Sequence, residues 1–219
     1  ALRAVAVSAA QFLSGMLGGS NVTRLGVGMG RTLTAAVEAL PKVARADLEI
    51  MSICGSLTRT LAANPYDIVQ KMQERTGGIG YYLPVPYFAE NQDEKAMFLT
   101  QRSVQDLMDR ARQSDAFLIG IGSVENEGHL VQRGMISKKE QEDLLSGGAV
   151  CDLMGRFLTI EGKLAPDPLG DCAVGLHFDE VRGRRVIALV GGESKVEATL
   201  AALRTGVITD LVADETLAR

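Results

Sequence analysis

Twice in this chain an apolar run ends in closely spaced glycines and opens straight into an amphipathic segment with a cation in its first turn. The first is Leu25-Gly26-Val27-Gly28-Met29-Gly30-Arg31-Thr32, continued by a helical pattern that sets Leu33, Val37 and Leu40 on one face. The second is Val190-Gly191-Gly192-Glu193-Ser194-Lys195, continued to Leu203. Strands that feed helices in this way predict a layered α/β fold with a mostly parallel sheet and helices on both faces. They also place two helix starts at the carboxyl ends of strands, where open α/β sheets bind ligands. Glycines let the backbone approach a ligand, and an opening helix aims free N–H groups and a partial positive charge at one point. Arg31 opposes that dipole and is better tolerated beside an anion; the plain alternative is a strand-to-helix turn with a solvated arginine. The spacing lacks the third glycine of the dinucleotide fingerprint, and no G-x-x-x-x-G-K-[ST] run occurs, which excludes the usual nicotinamide and ATP loops.

Taken in order, residues 1–17 predict a helix stopped by Gly18-Gly19, Val22–Val27 a strand, and Thr32–Leu40 a helix closed by Pro41. Leu48–Ile53 reads as a second strand. Asn64-Pro65, a cap followed by proline, predicts a helix running to about Arg75. A short strand over Tyr81–Pro86 and two helices between Asp93 and Arg112, broken near 100–103, lead to the apolar run Asp115–Ser123, the clearest buried strand. The rhythm then breaks. Glu125–Gly134 is polar and irregular, Ser137 caps a helix ending at Gly147-Gly148, and Phe157–Leu164 predicts a hairpin with a glycine turn. Strand Val186–Val190, helix Ser194–Leu203 and strand Val207–Val212 restore it. The simplest partition is one domain over 1–219 with an inserted flap at about 124–178.

The 219 residues are 46% apolar with 24 glycines, an ordinary globular composition. A net charge of −4 with pI near 5.3 argues against this chain gripping nucleic acid by its own surface. No apolar run is long enough for a membrane helix. Three well-separated cysteines, Cys54, Cys151 and Cys172, suit a reducing cytoplasm, and with only His129 and His177 to join them no metal site is expected. A chain that begins with Ala1 and runs directly into a helix reads as part of a longer protein.

Several residues could carry chemistry. Lys195 suits a phosphate or a sugar oxygen, or simply pairs with Glu193 or Glu197. Gly120-Ile121-Gly122-Ser123 supplies a third strand-end loop, although Ser123 could equally satisfy a loop amide. Asp152, in the small-residue stretch Gly148-Ala149-Val150-Cys151-Asp152, could accept hydroxyls from a sugar or cap a helix. Asn64, Arg59, His129 and Arg133 lie on polar loops and read as solvated. No nucleophile can be matched to a base, so the site is equipped to hold rather than to react.

Together these motifs, with Tyr82-Leu83-Pro84-Val85-Pro86, Ala201-Ala202-Leu203-Arg204-Thr205-Gly206 and Asp214-Glu215, resemble the effector-binding domain of the SorC family of bacterial transcription regulators along nearly the whole chain. The resemblance implies a Rossmann-like domain related to sugar-phosphate isomerases but without catalysis or cofactor. It would bind a sugar or phosphosugar and modulate the operator binding of a homodimer or homotetramer. Operator DNA would be held by an N-terminal helix-turn-helix domain outside this sequence. Carried over by position, Gly28, Gly30, Arg31 and Thr32 match the family's phosphate loop, Gly122 and Ser123 its second loop, Asp152 its acidic sugar contact and Lys195 its basic effector contact. Asn64 falls where some members place an amide on the ligand. Cys151 stands where glycine is usual, Cys172 where many members carry arginine, and Cys54 replaces a basic residue used for a second phosphate, which argues against a bisphosphate. The alternative is an isomerase or deaminase of the same fold, with Asp152 as its one candidate base.

Overall fold

The computed structural model describes residues 2–19, 21–59, 62, 64, 67–125 and 129–218. The chain begins with α1 (Leu2–Gly18), whose Val5, Ala9, Leu13 and Leu17 are buried, then β1 (Arg24–Val27) and α2 (Arg31–Ala39). Next come β2 (Glu49–Ser52), α3 (Val69–Thr76), β3 (Ile79–Tyr81), α4 (Gln92–Leu99), α5 (Arg102–Arg112), β4 (Ala116–Gly120) and β5 (Gly122–Ser123). The middle of the chain holds α6 (His129–Gln132), α7 (Lys138–Ser146), β6 (Ala149–Leu153), β7 (Arg156–Thr159), α8 (Pro168–Asp171) and a 3-10 turn over Phe178–Val181. It closes with β8 (Arg185–Leu189), a 3-10 turn over Glu193–Lys195, α9 (Val196–Arg204), β9 (Asp210–Val212) and α10 (Glu215–Ala218).

Six strands form one parallel sheet in the order β3-β2-β1-β4-β8-β9. The chain builds outward from β1 to one edge, returns to the centre and builds outward from β4 to the other. The order therefore reverses between β1 and β4, and a crevice opens there at the carboxyl ends of the strands. The apolar run of β4 is buried on both sides: Phe117 and Ile119 share a core with Val186 and Ala188, while Ala116 and Leu118 join Leu25, Val27 and Leu189 under α1, α2 and α3.

A second, antiparallel sheet, β5-β6-β7, begins one residue after β4 ends, with Gly122 opposite Asp152 and Ser123 opposite Cys151. Met154 and Gly155, at φ 54° and 77°, make the tight turn between β6 and β7; Met154 is the only described non-glycine residue with positive φ. Cys151, Leu153 and Leu158 enter the same core as Phe117 and Ile119, so the small sheet is packed onto the large one.

Several elements differ from the sequence expectation. Helix α3 starts at Val69, whose N–H donates to the Asp67 carboxylate at 2.9 Å in a turn just ahead of the helix, while Ile68 at the cap position offers no side-chain bond; Pro65 lies outside the described residues. Strand β3 precedes the proline stretch rather than containing it. Prolines 84 and 86 cannot donate to a ladder, and the carbonyls of Leu83 and Val85 instead accept from Ser56 and Leu57. Asp152 is mid-strand in β6, not a helix cap: Ala149, Cys151 and Leu153 are buried at period two. The hairpin joins β6 to β7 through Met154-Gly155, and beyond Gly162 the chain returns only for the single bridge Leu158 to Leu164. Within Glu125–Gly134, Asn126, Glu127 and Gly128 lie outside the described residues, and a short helix, α6, follows them.

Candidate functional site

The nine residues singled out from the sequence, Gly28, Gly30, Arg31, Thr32, Asn64, Gly122, Ser123, Asp152 and Lys195, all line one cavity of about 100 Å³ at the β1/β4 reversal. Its floor is the loop after β1. The Gly28 N–H donates to the Leu118 carbonyl at 2.9 Å, which holds the loop against β4. Gly30, at φ 147°, turns the chain into α2 without any side-chain cap, and the first intrahelical bond runs from Thr34 N to Gly30 O at 2.9 Å. The N–H groups of Arg31, Thr32 and Leu33 precede that bond and have no partner within the helix. No acidic residue occupies this first turn.

Lys195 approaches from the β8 side, and its Nζ donates to the Ile121 carbonyl at 2.7 Å. Burial, then the nearby Arg31 guanidinium, holds its pKa below the ordinary lysine value. Neither Arg31 nor Lys195 makes an ion pair among the described residues. Two like charges share a cavity with an uncapped helix start.

Asp152 projects from β6 into the same space. Burial pushes its pKa up to about 6, against the Gly155 N–H, which donates to Oδ1 at 2.9 Å, and against the charges of Arg156 and Lys195. A Cβ on Gly122 would stand 3.0 Å from the Asp152 Cβ and 3.3 Å from Oδ2, so the glycine opposite makes room for the carboxylate. Asn64 is 5% exposed, and its Nδ2 donates to the Met29 sulfur at 2.7 Å, tying the loop after β2 to the loop after β1.

The cavity also takes Tyr87, Cys54, Met135, Met154 and Arg133 into its wall. Arg133 stands at the cavity wall and is exposed, as its reading on a polar loop expected. The side chain of His129 lies outside the description. Arg59 pairs with Glu140 at 3.0 Å and lies more distantly, at 3.9 Å, from Glu90. Cys54 lies two residues past the end of β2, level with the other strand-end loops, where the resemblance to the family set a residue used for a second phosphate. Tyr87 and Met135 carried no such signal. All three cysteines are free and buried, and burial raises the thiol pKa of each, most at Cys54 and Cys151. Among the described residues no cluster of three metal-ligating side chains occurs, and no helix is long and apolar enough to cross a membrane.

An open parallel sheet of order β3-β2-β1-β4-β8-β9, with glycine-lined strand ends and two cations at its reversal, defines a class of α/β small-molecule-binding domains. Within that class the chain belongs to the family described as "Putative sugar-binding domain", which it matches over residues 1–219. The chain is 36% identical over 195 residues to the erythritol catabolism regulatory protein EryD of Brucella abortus, covering 89% of this chain and 62% of that protein. It is 25% identical over 198 residues to the deoxyribonucleoside regulator of Bacillus subtilis, covering 89% and 63%. It thus spans a little under two thirds of the length of these relatives. A domain of a possible sugar-binding transcriptional regulator from Arthrobacter aurescens superposes with a TM-score of 0.89 at 28% identity, over 100% of this chain and 84% of that one. Full-length SorC from Klebsiella pneumoniae shares the fold, with a TM-score of 0.85 at 20% identity over 98% and 70%. The expected resemblance to SorC-type domains and the α/β fold are thereby borne out.

Proposed function

We propose that the chain is the effector-binding domain of a SorC-type transcription regulator and that its ligand is a small sugar or polyol bearing one anionic group, a phosphate above all. The observation that carries this reading is the convergence of Arg31, Lys195 and the uncapped start of α2 on one cavity that also holds the Asp152 carboxylate. Cations and free N–H groups suit the anion. The carboxylate repels an anion and accepts hydroxyl protons, so it suits the sugar end. That similar regulators are named for erythritol catabolism and for deoxyribonucleosides supports a small polyol or sugar as the ligand.

In this reading the domain binds and releases its ligand without turnover. Ligand that bridges the glycine loop, Lys195 and the small sheet favours one arrangement of subunits in a homodimer or homotetramer in the cytoplasm. The operator is held by another segment of the full-length regulator. Coupling of about 1 to 3 kcal/mol between effector and operator is the ordinary range for such a switch.

Isothermal titration with inorganic phosphate, erythritol 4-phosphate, ribose 5-phosphate and 2-deoxyribose 5-phosphate tests the site. Lys195→Ala and Arg31→Ala should each weaken the tightest of these about 10- to 100-fold while leaving the fold intact, as expected for charge-assisted bonds. Undiminished affinity in both variants removes the anion assignment. Turnover of any of these probes would replace the regulator reading with an enzyme.

A further inference from the structure

One polar group of the cavity is unused by the reading above. Tyr87 is 5% exposed, and its ring packs edge-on against Phe88 with centroids 4.8 Å apart. Phe88 in turn stacks on Phe157 at 6.0 Å. The phenol ring is clamped in place. Its hydroxyl has no hydrogen-bond partner among the described residues, although a buried tyrosine ordinarily finds one.

The surroundings of that hydroxyl point to what would satisfy it. It lies 3.3 Å from where a Cβ on Gly155 would stand, which sets it beside the β6–β7 turn. The same turn holds Asp152, whose Oδ1 accepts from Gly155 N while Oδ2 has no hydrogen-bond partner among the described residues. A phenol donor next to a carboxylate acceptor complements one alcohol: the ligand O–H donates to the carboxylate, and its oxygen accepts from the phenol. A phosphate oxygen or a bare carbon satisfies only one partner or neither.

We infer that Tyr87 is a binding residue of this cavity and that, paired with Asp152, it selects ligands carrying a free hydroxyl beyond their anionic end. The inference rests on the effector-site reading and adds to it the side chain that reads one ligand hydroxyl. Burial and the Asp152 charge hold the phenol well above its ordinary pKa, so it remains a donor at neutral pH.

The test is isothermal titration of the 219-residue chain and its Tyr87→Phe variant with erythritol 4-phosphate, ribose 5-phosphate and inorganic phosphate. Tyr87→Phe should weaken the tighter-binding of the two hydroxylated probes about 3- to 10-fold, leave inorganic phosphate unchanged and leave the ligand-free melting temperature unchanged. Combined with Asp152→Asn, it should add little to the loss from Asp152→Asn alone, because the two groups grip one hydroxyl. Retained affinity for both hydroxylated probes in Tyr87→Phe, or losses that simply add, would overturn the inference while the phosphate site stands. If the unaltered chain binds neither phosphate nor either probe, the effector reading itself fails and this one falls with it.

Discussion

The turns after β1 and β8 share a sequence logic and diverge in what they offer a ligand. After β1, Gly30 leads directly into α2, no side chain caps the helix, and Arg31 and Thr32 of its first turn line the cavity. After β8, the chain supplies its own anion: the Asp214 carboxylate accepts from Gly192 N at 2.8 Å, and from Leu217 N at 2.9 Å and the Thr216 hydroxyl at 2.8 Å. A 3-10 turn over Glu193–Lys195 then precedes α9. The first turn therefore presents backbone, whereas the second has its backbone occupied and presents a side chain, Lys195. Glycine spacing and a following cation do not by themselves make an anion seat; a carboxylate from elsewhere in the chain can fill it.

The strongest way to break this contrast is Asp214→Ala. It strips three hydrogen bonds to a charged acceptor and leaves the Gly192 N–H without a partner, so denaturant unfolding should show a loss of about 3 to 4 kcal/mol. The native contacts hold the Asp214 carboxyl below its ordinary pKa. Its contribution is therefore complete above the ordinary carboxylate range, near pH 4, and fades as pH falls. Unchanged stability would mean that the β8 turn is not held from within.

Asp152 behaves in the opposite sense. Its folded pKa is raised to about 6 from 3.8, so the unfolded chain ionises first as pH climbs, and the buried charge opposes folding with a penalty that grows between those values. Relative to the unaltered chain, Asp152→Asn should gain about 2 to 3 kcal/mol more at pH 8 than at pH 3.5. A pH-independent difference would show that the carboxylate is solvated rather than desolvated in the cavity.

The smallest effect sharpens the β1 side. At φ 147°, with no atom within 4 Å of where a Cβ would stand, Gly30→Ala meets conformational strain rather than a clash and should cost about 1 to 2 kcal/mol by thermal melting. No loss would mean that this turn relaxes and does not fix the N–H groups.

Much of this was legible in the residues because strand-end loops of a parallel sheet are local: glycines, a following helix pattern and a cation are all contiguous. That is why Arg31 and Lys195 could be set in one crevice from spacing alone. Asp152 was legible as a carboxylate near the site but not as a strand residue, since Gly148-Ala149 suggested a loop while the period-two burial of Ala149, Cys151 and Leu153 decided otherwise. Tyr87 was not legible, because its place depends on contacts between segments far apart in the chain. The internal partner of the β8 turn, Asp214, lies 22 residues beyond Gly192 and was equally out of reach.

The bond from Lys195 to the Ile121 carbonyl carries a thermodynamic consequence. A lysine free in solvent forfeits on the order of 2 kcal/mol of rotamer entropy when a ligand fixes it. Here the bond to Ile121 takes up part of that ordering before any ligand arrives, and an ammonium with three donors keeps two for the newcomer. The cavity thus meets its ligand with one charged arm already aimed, so affinity at this position depends more on the quality of the new bonds and less on the cost of gathering them.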